Sequence, residues 1–567
     1  GRKKIKLADA QLVYRVAWRQ KTPAQLLHIR CCRMACTAGL GRSCCLALLL
    51  LQWHCDSQDA GGACDRDQVY PMSMLQKQPA RPRPASDPGD PVSMLQKQAA
   101  RPRPDSDSGG GDVRPLKLTP LLQEGKIQEA QQKARVTLPD WNSSELYSGF
   151  FTIDDSTNSQ TYFVFSTALS GRQDAPVLLW LNGGPGCSSM LGFYSELGPF
   201  GISEQMEIKP RPINWNMDAH LLAIDNPLGT GFSFTESLDR MVTNETTVGE
   251  DLYIALQQFF DLFPEYRGNK FYATGESYAG KYIPAVSYAI HTKNKEAPKA
   301  KHINLQGLAI GDGAFDPITQ FQGFGDLFFN LGMANAKQKE VYDRYTERMN
   351  TKYEQKDYRG AFMEFDEMLN GDFYPYGTYY ANTTGMSSNY FNFDESPNPG
   401  SSPFYSGYNR WLNLASTKAA LHVGADATFS ACNSTVEAQL LDDWMLGVVE
   451  WLQELLDHYD VLIYSGQYDV ILGPPGTMRA VDKLQWSGAA AYAKAASETW
   501  LLNDTDPNSL AGYARVSKNA NANDFSYVML RGAGHMVPED QPARAYDMLQ
   551  RFLVPMKPLP PLAAHSG

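Results

Sequence analysis

Cysteine is nearly absent from most of this chain. Seven of the nine cysteines in its 567 residues lie before residue 65, and only Cys187 and Cys432 follow. The body holds no paired C-x-x-C knuckle and no H-E-x-x-H, so a metal is not expected. Basic charge is short as well: 51 Lys and Arg face 62 Asp and Glu, a formal net charge of −11. That balance argues against a nucleic-acid partner. The G-x-G-x-x-G fingerprint and the P-loop lysine are both missing, and no cofactor is expected. No apolar run reaches the ~20 residues that a membrane-spanning helix needs.

What is present begins with an address. Met34 opens the run MACTAGLGRSCCLALLLLQWHC, in which Arg42 precedes an apolar stretch from Cys44 to Leu51. That length and order fit a secretory signal, which implies a secreted or a lysosomal/vacuolar protein. Sequons at Asn142, Asn244, Asn382, Asn433 and Asn503 agree with glycosylation on that route. In a reducing cytosol Cys187 and Cys432 would be inert thiols, whereas an oxidising compartment could pair them. Residues 1–33 contain no Met and are expected to be non-native leader, with 34–60 the signal peptide. Between Ser73 and Asp112 a segment of period 20 occurs twice, as SMLQKQPARPRPASDPGDPV and then SMLQKQAARPRPDSDSGGGD. Two copies so rich in Pro, Arg, Asp and Gly cannot bury a core, so 61–113 reads as a disordered linker or pro-segment. One folded domain is expected over 114–556, with a cap insertion at about 314–410, and a tail over 557–567.

Within that domain strands alternate with helices. Tyr147 to Thr167 reads as two β-runs around the polar turn Asp154 to Ser159. Further strands are expected at Pro176–Leu181, Leu221–Asn226, Lys270–Thr274, Leu305–Ile310, Val461–Tyr464 and Ser526–Leu530. Their apolar character is that of strands buried on both faces. Helices are expected at Asp251–Phe263, Ala336–Met349, Tyr358–Leu369, Val448–His458, Ala489–Leu502 and Ala543–Phe552. The fold class is α/β, with a mostly parallel central sheet, helices on both faces and an inserted cap.

The chemistry gathers at Gly275-Glu276-Ser277-Tyr278-Ala279-Gly280, between a strand and a helix-compatible run. Glycines around the serine suit a sharp turn that lifts Ser277 Oγ out of the sheet at a helix N-terminus. An α/β-hydrolase carries its triad in the order Ser, acid, His at successive strand ends. Asp469 follows the strand Val461–Tyr464, and of the two histidines after it His565 lies in the Pro-rich tail. That leaves His535, directly after the strand ending at Leu530, as the base. A structural Asp and a buried His would leave the same residues. The oxyanion would be met by the N–H of Tyr278, which follows the nucleophile, and of Gly184 in the glycine-rich loop Asn182 to Cys187.

The segments WLNGGPGCSSM, GESYAGKYIPA, IDNPLGTGFSF, GLAIGDG, YSGQYD and GAGHMVPEDQP together resemble the serine carboxypeptidases. The GDG variant, Asn330-Leu331-Gly332-Met333 and LHVGADATF around His422 resemble most closely the vitellogenic-like branch. The resemblance implies removal of single residues from the C-termini of peptides and proteins. It implies that Trp180, Asn182, Glu196 and Glu276 recognise the terminal carboxylate, with Glu196 bracing Glu276. It also implies an uncharged S1′ pocket at Leu191, Ser195 and Met536, hence an apolar leaving residue, and a Cys187–Cys432 disulfide. The insertion lacks the cysteine cluster of some relatives. Two other readings use the same scaffold: an acyltransferase with an alcohol acceptor, and a non-catalytic binding or protective protein. A homodimer is one option for its assembly.

Overall fold

The computed structural model describes residues 114–386, 391–394, 407–503 and 505–554. The expected leader, signal peptide, repeat linker and tail lie outside the described residues, as does part of the expected cap. Strands form at β1 (Arg135–Leu138), β2 (Trp141–Asp154), β3 (Ser159–Ser166), β4 (Val177–Leu181), β5 (Phe200–Ile202), β6 (Ile208–Pro210) and β7 (His220–Ile224). They continue at β8 (Phe271–Glu276), β9 (Leu305–Gly311), β10 (Asp460–Gly466), β11 (Glu498–Leu501), β12 (Leu510–Lys518) and β13 (Asp524–Leu530).

β5 and β6 make a small antiparallel pair, and the other strands form one sheet in the order β1-β2-β3-β7-β4-β8-β9-β10-β13-β12-β11. Every neighbour pair from β7 across to β13 is parallel, and both flanks are antiparallel. On β4, Val177, Leu179 and Leu181 enter the core on one face while Leu178 and Trp180 enter the core on the other. A strand buried on both sides leaves no polar position, which is why it reads as an unbroken apolar run. Helices Glu245–Leu262 and Ala279–Glu296 cover one face. The last helix, Pro542–Leu553, covers the other with Ala545, Met548, Leu549 and Leu553, spaced as one helical stripe.

Parallel pairing aligns the C-terminal ends of β4, β8, β9, β10 and β13 along one edge of the sheet, where such sheets carry their sites. Asn182, Ser277, Asp312, Asp469 and the loop bearing His535 leave from that edge. Between β9 and β10 the chain makes a long helical excursion whose described parts include helices Ala336–Glu354, Tyr358–Phe365 and Ser434–Trp444.

One expected helix is corrected. Ala489–Leu502 forms only a short helix, Ala489–Tyr492, and then turns into the edge strand β11, which pairs with β12, a strand not expected at all. The alanine-rich run favours a helix by propensity, but tertiary contacts override it. Trp500 is fully buried in the strand, and its Nε1–H donates to Asp547 at 2.8 Å. Among the described residues no helix is long and apolar enough to cross a membrane.

Candidate active site

β8 delivers Ser277 at φ +64°, a left-handed backbone rarely adopted by residues other than glycine. The turn is fixed at both ends. Ser277 N–H donates to Gly311 O at 3.0 Å, and Ser277 O accepts from Gly280 N at 2.9 Å and Ala314 N at 3.0 Å. A Cβ on Gly280 would come within 2.5 Å of Ala314 N, so the helix can pack this closely only without one. The glycine loop presses on the same turn: a Cβ on Gly183 would lie 2.3 Å from Tyr278 N. Gly184 and Tyr278, the expected oxyanion donors, are thereby neighbours across this contact.

Asp469 and His535 meet as the strand-end order requires. His535 Nδ1 is 2.9 Å from Asp469 Oδ2, and both side chains are buried. Asp469 Oδ1 accepts a longer bond, 3.3 Å, from Leu472 N–H. With Nδ1 bonded to the carboxylate, Nε2 is the nitrogen left for proton transfer. It is buried and has no hydrogen-bond partner among the described residues, so the bond from Ser277 Oγ is not made here. The far side of the imidazole is closed by Phe391, stacked at 4.9 Å and 9°. His535 N–H also donates to Phe391 O at 2.6 Å.

The four residues implied to read a carboxylate are brought together. Asn182 is the hub: its Oδ1 accepts from Trp180 Nε1 at 2.8 Å and Gly192 N at 2.9 Å, and its Nδ2 donates to Glu276 at 2.9 Å and Glu196 at 3.3 Å. Glu196 rides on a π-helical turn, Gly192–Leu197, that buries every residue in it. Oε2 of Glu196 and Oε2 of Glu276 are buried and without a hydrogen-bond partner among the described residues. Burial pushes the Glu196 carboxyl up to about 7, against hydrogen bonds from Glu276 and Asn182 and the charges of His535 and Arg211. Glu276 is pushed well above the usual range, first by burial, then by the charge and hydrogen bond of Glu196. Two such carboxyls satisfy each other by sharing one proton.

Of the expected S1′ residues, Leu191 and Met536 are half-buried and Ser195 is buried on the same π-turn. Cys187 and Cys432 form a disulfide across 245 residues, tying the glycine loop to the end of the insertion. Asn142, Asn244, Asn382 and Asn503 are exposed, while Asn433 is half-buried with its Nδ2 donating to Gly229 O at 2.8 Å. His291, Glu454 and His458 have donor atoms within 4.8 Å of one another, a set that would suit a divalent cation. His291 is already bonded at both nitrogens, to Tyr459 and Glu454, and Lys295 lies 3.5 Å from Glu454.

Several site residues escape sequence reasoning. Phe391 sits in an aromatic Asn/Ser-rich stretch without period. Lys281 is wholly buried behind Tyr278, donating to its Oη at 3.1 Å and to Asp443 O at 2.6 Å. Glu245 beside it is pushed up to about 8 by burial, which the Lys281 charge only partly offsets. A lysine four residues past a nucleophile carries no signal of burial. Asp312 did carry one, since it ends a strand as Asp469 does.

Residues 138–554 match the serine carboxypeptidase family, peptidase S10. The chain is 42% identical over 438 residues to the venom serine carboxypeptidase of Apis mellifera, covering 77% of this chain and 90% of that one. It is 40% identical over 445 residues to the probable serine carboxypeptidase CPVL of Homo sapiens, covering 78% and 90%. Identity to the vitellogenic carboxypeptidase of Aedes aegypti is also 40% over 445 residues, again 78% and 90%. The solved structure of Kex1(delta)p, a prohormone-processing carboxypeptidase from Saccharomyces cerevisiae, superposes with a TM-score of 0.65 at 23% identity, covering 75% of this chain and 96% of that one. At that identity the likeness speaks to the fold alone. The sheet with its strand-end serine, acid and histidine, the family match and the relatives near 40% identity agree: this chain belongs to the serine carboxypeptidase family.

Proposed function

We propose that the chain removes C-terminal residues from peptides through a Ser277–His535–Asp469 triad, on an acidic secretory route. Ser277 Oγ attacks the last peptide carbonyl while His535 Nε2 takes its proton, and Asp469 holds the imidazole in the required tautomer. The N–H groups of Tyr278 and Gly184 meet the oxyanion, a contribution of several kcal/mol. Collapse breaks the C–N bond, His535 gives its proton to the leaving amine, and an ester on Ser277 remains. Water then attacks that ester; His535 takes the water's proton and returns it to Ser277 Oγ as the acid product leaves.

The observation that carries the reading is the Asn182-bridged pair of Glu276 and Glu196, one of which immediately precedes the nucleophile. With one proton between them, Glu276 offers a donor to a substrate's terminal carboxylate, the Asn182 amide turns to it the N–H that otherwise makes the longer bond to Glu196, and Glu196 braces Glu276. Trp180 fixes the amide's orientation. Leu191, Ser195 and Met536 place no charge at the leaving residue, so an apolar side chain is accommodated best. N-blocked dipeptides with varied C-terminal residues test this. Free amino acid should appear fastest from apolar C-termini and not at all with Ser277→Ala, and a fluorophosphonate should label only the wild type. Labelling of Ser277 without release of any C-terminal residue would contradict the reading.

A further inference from the structure

β9 lies between the nucleophile strand and the acid strand, so Asp312, one residue past its end, leaves the sheet between Ser277 and Asp469. It is fully buried at φ +42°, a left-handed conformation that strains a non-glycine residue. Backbone bonds hold it there: its N–H donates to Tyr464 O at 2.8 Å, and its Oδ1 accepts from Gly466 N–H at 2.7 Å. Its Oδ2 is buried with no hydrogen-bond partner among the described residues. Side-chain donor atoms of Asp312, Asp469 and His535 all lie within 4.8 Å of one another.

Asp469 has room for one more donor. Its Oδ2 is taken by His535, but its Oδ1 receives only the 3.3 Å bond from Leu472. Two ionised carboxylates in this dry site would repel, and the bare Oδ2 would be an uncompensated buried acceptor. A proton on Asp312 removes both costs by converting that oxygen from an acceptor into a donor.

We propose that Asp312 is a positioning residue for the reaction, carrying a carboxylic O–H that hydrogen-bonds the Asp469 carboxylate and fixes it against His535. The proposal rests on the triad reading above. The groups facing Asp312 are Asp469 and Tyr464 from the β10 side, Glu276 from β8, Tyr527 from β13, and His535 and Asp540 from the segment that follows. Burial, and after it the charge of Asp469, holds the Asp312 carboxyl well above the usual range, against the N–H of Gly466. The O–H is therefore kept well above the pH at which an ordinary carboxyl loses its proton.

The test compares Asp312→Asn with Asp312→Ala on an N-blocked peptide amide, whose missing C-terminal carboxylate silences the Glu276 pair. Asparagine keeps an N–H donor at every pH and should hold kcat within about threefold of wild type. Alanine should lower kcat by about tenfold or more at each pH with KM little changed. Equal activity of alanine and wild type, or an asparagine variant as slow as alanine, overturns the proposal. Should the alanine variant not fold, the infrared difference between wild type and Asp312→Asn at pH 7 decides instead. Loss of a protonated-carboxyl band is expected, and loss of a carboxylate band contradicts it. Asp469→Asn in the same series should lose roughly 10⁴ in kcat. If that variant stays active, it is the triad reading that has failed.

Discussion

Asp469 and Glu276 are both buried carboxyls at the C-terminal ends of parallel strands, and they are solvated in opposite ways. Asp469 has an N–H on each oxygen, from His535 and Leu472. Glu276 has the Asn182 amide on one oxygen, while its other oxygen is bare beside the similarly bare Glu196. The difference teaches how one residue type fills two roles. An N–H on each oxygen meets the lone pairs of one carboxyl, whereas burial, and after it the charge of Glu196, holds the Glu276 carboxyl well above the usual range, so that it keeps a proton it can donate.

The largest effects should come from breaking the first arrangement. Ser277→Ala and His535→Ala are each expected to remove nearly all kcat, roughly 10⁴–10⁶-fold, with the double variant hardly worse. Additive losses in single-turnover assays would show that the two do not act as a unit. Next in size is the anchor of the loop that carries Asn182. Opening the Cys187–Cys432 bridge frees a loop of 245 residues and should cost up to about 5 kcal/mol of stability in the chain-entropy model. Denaturant titration of Cys187→Ser/Cys432→Ser measures it; an unchanged midpoint would mean that the bridge constrains nothing.

A smaller effect sharpens the contrast through stability. Burial raises Glu196 and Asp225 to about 7 and Glu245 to about 8. Unfolded, such carboxyls titrate near 4. Between those values the folded state binds more protons than the unfolded one. Stability is therefore greatest in acid and falls as pH rises through about 7–8. Thermal melts should give a higher Tm at pH 5 than at pH 8, and Glu196→Gln should shrink that difference. A Tm that rises toward pH 8 would contradict it.

How much of this was legible varied with the kind of signal. β4, β8 and β10 announced themselves as apolar runs ending at glycines, so the sheet centre and the strand-end positions of Ser277, Asp469 and His535 could be placed from sequence. β11 could not, because the alanine run before it has helix propensity and only the burial of Trp500 decides the strand. The carboxylate set was reached through the family resemblance; by itself Glu196 is one acid among many, and only the π-turn at Gly192–Leu197 aims it inward. Asp312 was noticed as a sequence variant but given no role. The relation of β9 to its neighbours, which puts it beside Asp469, is a fact of strand order that sequence does not print.

The most direct test of the account is the pH dependence of KM for a peptide free acid set against the same peptide as its amide. As pH rises past about 7 the Glu196–Glu276 pair comes down to one shared proton, held on Glu276, whose carboxyl lies well above the usual range; at higher pH still that proton is lost and two anions come to face the substrate's carboxylate. KM for the free acid should climb over that range, KM for the amide should stay flat, and Glu276→Gln should bring the two profiles together. Parallel curves for acid and amide in the wild-type enzyme would show that these glutamates do not read the C-terminus.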